Sequence, residues 1–262
     1  MKRITICLAL AVMFASLALV CGTSAGQGKD KDKGKGKDRT RTTQPADKPT
    51  SYYEKRQLRG WTLRINKDLL EEKNAKLLSE VLAEMDNHFY RIERTVPAEA
   101  VTHLKKVVIW LELDNPKGRT CHYHPAADWL KDNNYNPDKV KCVEIGTARG
   151  FLSAVKHQPC VMLHELSHAY HDQVLDFENP KIMACYEAAK KSGTYDKVLI
   201  WNGQVGKHYA MTDQKEYFAE DTEAYFGTND IYPFVRAELK QHDPNMYAAL
   251  EDAWGFRGQI PK

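Results

Sequence analysis

The chain has 262 residues, 42% hydrophobic and 28% charged, with a net charge of +3. Residues 1–48 hold ten Lys/Arg against four Asp/Glu, a balance of +6, so residues 49–262 carry −3. A mildly acidic folded part excludes the broad basic face of a nucleic-acid-binding domain.

At the N-terminus, Met1-Lys2-Arg3 precede an apolar run over 4–20 and the small residues Thr23-Ser24-Ala25. This order predicts a signal peptide over 1–25, and export to the medium, the periplasm or the cell envelope. No stable membrane span is expected after cleavage, although the run borders the length that a retained anchor needs. Residues 26–50 contain no large apolar side chain, and Lys nearly alternates with Asp. They are expected to form a disordered Lys/Asp/Gly-rich linker, a solvated spacer. Residues 51–262 suffice for one domain. In an oxidising compartment Cys121, Cys142, Cys160 and Cys185 permit two disulfides, of connectivity that spacing leaves open.

Residues 60–66 alternate polar and apolar as a half-buried strand does, and 68–94 carry a helical apolar stripe with Asn66 as cap. His88 near that stripe reads as a core histidine. Residues 106–113 (KVVIWLEL) form the strongest strand, offered as an edge along which an extended peptide could pair. A turn at Asn115-Pro116-Lys117-Gly118 leads into a loop-rich stretch, 119–150, with a short strand at 141–145. His122 and His124 in that stretch read first as exposed loop histidines, with a second metal site or a cleft lining as the functional alternative.

Residues 159–176 predict a helix that is largely apolar around His164-Glu165-Leu166-Ser167-His168. Two imidazoles four positions apart share a helix face and can grip one metal ion. Glu165 points about 100° around the helix, where it can take a proton from an activated water. Two histidines and a glutamate on a buried helix are costly unless something pairs with them. Asp172, one turn past His168, could orient a ligand imidazole or be a solvated surface acid.

A helix over 179–191 closed by Gly193 follows, then a hairpin of 198–201 with 205–209. Residues 214–226 predict a helix ending at Gly227, and 233–241 and 244–254 two more. Because strands precede the metal-binding helix and helices follow it, the fold class is α+β. The helix over 214–226 aligns Glu216, Glu220 and Glu223 on one face, an arrangement that repels itself unless a cation lies nearby. Weaker sources of a third ligand are His171, Glu187, Asp196 and Asp230, each lacking the flanking residues of its motif.

HELSHAYHD (164–172), followed by YAMTDQKEYFAE (209–220), resembles the catalytic domain of anthrax toxin lethal factor and its metallopeptidase relatives. The likeness covers about residues 160–220. It implies a zincin-like metallopeptidase domain over 51–262, a small mixed sheet packed on the active-site helix with a helical C-terminal part. It also implies that His164, His168 and Glu216 bind Zn2+, that Glu165 is the general base, and that Tyr209 stabilises the transition state. Glu220 would be an outer carboxylate, and Asp172 matches the Asp that follows the motif there. The expected function is a secreted, monomeric zinc metalloendopeptidase acting on peptides or proteins. The alternatives are a non-catalytic zinc-stabilised module binding the cell envelope, and a zinc amidohydrolase acting on a non-peptide amide.

Overall fold

The computed structural model describes residues 46–117 and 120–255; the expected signal peptide and residues 26–45 of the expected linker lie outside them. The described residues form an α+β fold. In chain order its elements are β1 (Tyr53–Leu58), β2 (Trp61–Asn66), α1 (Ala75–Thr95), α2 (Ala98–Leu104), β3 (Ile109–Leu111), β4 (Cys121–Tyr123), α3 (Ala127–Asp132), β5 (Val143–Ile145) and α4 (Ala148–Ala154). The second half holds α5 (Val161–Tyr170), α6 (Pro180–Ser192), β6 (Val198–Leu199), β7 (Val205–Gly206), α7 (Gln214–Phe226), α8 (Arg236–His242) and α9 (Pro244–Ala253).

Five strands make a mixed sheet in the order β1-β2-β3-β5-β4, antiparallel at both ends and parallel in the middle. The edges are therefore β1 and β4. The strand expected over 106–113 shortens to Ile109–Leu111 and runs through the centre, so it is not an edge available to a peptide. Its unbroken apolar sequence already reflects this, because a parallel strand covered on both faces shows no alternation. β1 turns into β2 through Arg59 and Gly60, both at positive φ, the geometry of a tight two-residue hairpin turn.

One sheet face presents Leu63, Ile65, Ile109, Leu111, Val143 and Ile145 to the main core, which α1 and α5 complete. On α1 the residues Leu77, Leu78, Val81, Met85, Phe89 and Ile92 are buried at helical spacing, and Phe89 stacks on Trp61 with ring centres 4.3 Å apart. Asn66 accepts from Asp68 N–H, but it caps a 3-10 turn, and α1 begins only at Ala75. The other sheet face carries a small apolar patch of Tyr53, Trp110 and Cys142 beside buried Glu112, Glu144 and Lys139.

α5 packs between α7 and the sheet, touching β4, α1 and α2 as well. After Tyr170 it widens into a π-turn over His171–Leu175 rather than continuing as α-helix to 176. Trp254, just after α9, stacks on Tyr170 and Phe218, joining the C-terminal part to both α5 and α7.

Two expectations need correction. Asp47 pairs with Lys117 and Lys139, so the folded domain begins before residue 50. The four cysteines at 121, 142, 160 and 185 are all free thiols, so neither permitted disulfide forms. Among the described residues no helix is long and apolar enough to cross a membrane.

Candidate metal centre

α5 and α7 run side by side and put three donor atoms at one place. His164 Nε2 lies 3.2 Å from His168 Nε2 and 3.1 Å from Glu216 Oε2, and His168 Nε2 lies 3.4 Å from the same oxygen. Three ligands bound at 2.0–2.1 Å with tetrahedral angles are about 3.3 Å apart, so the trio has the spacing of one face of a tetrahedron. Local sequence sets this up. Asp213 caps α7 by accepting from the Lys215 and Glu216 amides at 2.9 and 3.0 Å, which fixes the first turn where Glu216 sits. Beyond that turn, residues 217–225 of α7 are all buried.

The other ring nitrogen of His164 faces Glu223, with Nδ1 to Oε1 at 2.7 Å, while Glu220 Oε1 is 3.6 Å away. Glu223 is thus the nearer carboxylate behind this imidazole, ahead of Glu220, the expected outer carboxylate. Glu220 also lies 3.7 Å from His208 Nδ1, and among the described residues its Oε2 has no hydrogen-bond partner. The signal for Glu223 was present in its place seven residues after Glu216.

The electrostatics of the cluster are one-sided. Burial opposes a charged His164, yet Glu216 and Glu223 hold its pKa well above the ordinary value. Burial and Glu223 together push the Glu220 carboxyl up, and burial raises Glu223 against the pull of His164. Burial also acts to raise Glu216, but the two imidazoles hold it well below the usual carboxylate range. Burial is the first cause of the raised Glu220 and Glu223, with neighbouring carboxylates adding to it, a cost that a divalent cation held nearby would relieve.

Glu165 flanks the trio, its Oε2 accepting the Tyr123 N–H of β4 at 2.8 Å. Tyr209 stands on a 3-10 turn, Tyr209–Met211, and is 50% exposed, with its O–H donating to Glu216 Oε1 at 3.3 Å. Burial and Glu216 raise the phenol's pKa, so it keeps its proton. These groups line one cleft of about 450 Å³, with Cys121, His122 and Tyr123 on one wall and Phe177, Asp213 and Lys215 on another.

Asp172 does not back an imidazole. It accepts from Tyr123 O–H at 2.6 Å and pairs with Lys141. The π-turn explains the change: an extra residue per turn rotates position 172 away from the line through 164 and 168. His122 and His124, read first as exposed, are 7% and 1% exposed. They alternate with Cys121 and Tyr123, so they point to the sheet face away from α5, onto Glu144. Of the rival ligands, Glu187 and Asp196 are exposed, and neither they nor His171 nor Asp230 joins a ligand cluster among the described residues. Comparisons with protein-family models, with curated proteins and with solved structures found no match.

Proposed function

We propose that the protein is an exported zinc-dependent metallopeptidase of the zincin type, with His164, His168 and Glu216 as ligands. One observation carries the reading: three donor atoms from two separate helices converge at 3.1–3.4 Å, beside a glutamate aimed into the same cleft. Zinc bound there would polarise a peptide carbonyl and lower the pKa of a water from 15.7 toward about 7.

Glu165 is the base. Tyr123 N–H holds one of its oxygens, so the carboxylate keeps a fixed orientation from which it takes the proton of the attacking water and returns it to the leaving amine. Tyr209 O–H turns from Glu216 to the developing oxyanion, a donor worth about 3–4 kcal/mol in such roles. The substrate backbone lies along β4, which replaces the 106–113 strand as the edge. His124 N–H and the Thr120 carbonyl bond toward β5. By alternation Cys121 and Tyr123 direct their backbone groups outward, and Tyr123 N–H is taken by Glu165. The outward Cys121 amide and the carbonyls of Cys121 and Tyr123 then receive an extended peptide. A zinc-stabilised module without catalysis would need neither a base fixed by β4 nor a phenol at the ligand cluster.

The test combines metal analysis of the purified full chain with cleavage of a peptide library, with and without a chelator. The expected result is bound zinc, chelator-sensitive cleavage, and a Glu165→Gln protein that keeps its zinc and loses turnover. Near-normal cleavage by Glu165→Gln, or folded wild type that takes up no zinc, refutes the reading.

A further inference from the structure

Behind β4, on the sheet face turned away from α5, lies another set of ligand-type side chains that the reading above does not use. His122, His124 and Glu144 each offer one donor atom, all within 4.8 Å of one another. Glu144 Oε2 is 2.7 Å from His124 Nε2 and 3.3 Å from His122 Nε2. The carboxylate is oriented from behind. Lys139 Nζ at 2.6 Å and Asn115 Nδ2 at 2.8 Å both donate to Oε1, which leaves Oε2 turned toward the two rings.

His122 supplies an independent observation. It is buried, yet among the described residues neither ring nitrogen makes a hydrogen bond, although Nε2 is within reach of Glu144. Two unsatisfied nitrogens on a buried ring cost stability unless a ligand takes one. The charges agree. Among the described residues, Asp47, Glu112 and Glu144 surround Lys139, and only Lys117 joins it on the positive side, through Asp47. Counting these three carboxylates and two ammonium groups alone, the network keeps one excess negative charge.

We infer that His122, His124 and Glu144 form a second site for a divalent transition cation of the zinc class, distinct from the His164 centre. Two imidazoles and a carboxylate are the donor set that zinc-class ions favour. The consequence is local. An ion here ties β4 to β5 at the residues either side of Tyr123, whose amide holds Glu165. The second ion would stiffen the strand that positions the base.

Cobalt(II) titration of the metal-stripped full chain tests this, because visible absorption reports coordination and equivalents can be counted. In His164→Ala/His168→Ala, one equivalent should still bind with a ligand-field band, and adding His124→Ala should abolish it. A folded His164→Ala/His168→Ala protein that binds no cobalt overturns the inference, as a plain protonated His124–Glu144 pair would give. Should that variant fail to fold by circular dichroism, wild type is compared with His122→Ala/His124→Ala. Two equivalents falling to one supports the site; a single equivalent kept by both overturns it. Failure of the first centre alone reads differently: wild type would take one ion, which His124→Ala removes and His164→Ala does not.

Discussion

At His164 the ring is held from both sides, Nδ1 by Glu223 and Nε2 among His168 and Glu216. A carboxylate behind a ligating imidazole fixes the tautomer and raises its basicity, and removing such a partner weakens metal binding roughly 10–100-fold. Glu223→Gln keeps the volume and drops the charge, so competition titration with a chromophoric chelator should show a loss in that range. An unchanged affinity would reduce Glu223 to a packing residue. Tyr209 is the complementary case. The residue is half exposed and its O–H contact with Glu216 is long, so Tyr209→Phe should leave zinc content and melting temperature nearly unchanged. As an oxyanion donor it should lower kcat roughly 100- to 1000-fold. Steady-state kinetics beside metal analysis separates the roles, and an unaltered kcat removes Tyr209 from the mechanism.

Between residue and molecule stands α7, whose first turn carries Glu216 and whose cap is Asp213. Asp213→Ala should cost about 1 kcal/mol of stability, and it should weaken zinc binding as well, because the lost acceptor holds the Glu216 amide itself. Asp213→Asn keeps an acceptor and should restore both. Thermal melts and zinc titrations of the two variants decide; an Ala variant with undiminished zinc affinity would show that packing alone fixes that turn. The bounds of α7 could be read from sequence because both ends are marked, Asp213 ahead of 214 and Gly227 after 226. Helical spacing likewise puts His164 and His168 on one face and aligns Glu216, Glu220 and Glu223 on another, while the choice of Glu216 among the three carboxylates comes from the resemblance. β1 was not, since an edge strand reading Glu54-Lys55-Arg56-Gln57 has no apolar face to announce it. β4 was missed for another reason: three residues become a strand only through pairing with β5, twenty or more positions away, and the burial of His122 and His124 follows from the same pairing. Asp172 failed as a prediction because nothing in HAYHDQVL distinguishes a π-turn from one more α-helical turn.

On the scale of the whole molecule, buried histidines couple its stability to pH. His88 on α1, His171 in the π-turn and His208 ahead of Tyr209 are each nearly inaccessible. Burial, reinforced by Arg91, pushes His88 down to about 4; burial and His168 take His171 to about 4, and burial and His242 take His208 to about 3. In the unfolded chain each would bind a proton near 6.5. Between about 6.5 and 4 the unfolded state therefore holds more protons, and stability falls as pH falls. Glu220 and Asp221 act in the opposite sense. Burial, with Glu223 for the first and Asp243 for the second, raises their pKa, so they take up protons in the folded state and offset part of that decline. The wild-type curve alone is then ambiguous, and the difference against a variant is what isolates one group. His88→Leu is the suitable choice, since His88 is remote in sequence from the proposed ligands and packs near Phe151, where an apolar side chain is compatible. Urea unfolding from pH 6 to 4.5 should show the variant gaining on wild type by roughly 1 kcal/mol per pH unit as the medium becomes more acidic. Parallel curves would mean that His88 is protonated in the folded state, and would remove burial of the neutral ring as the source of acid sensitivity.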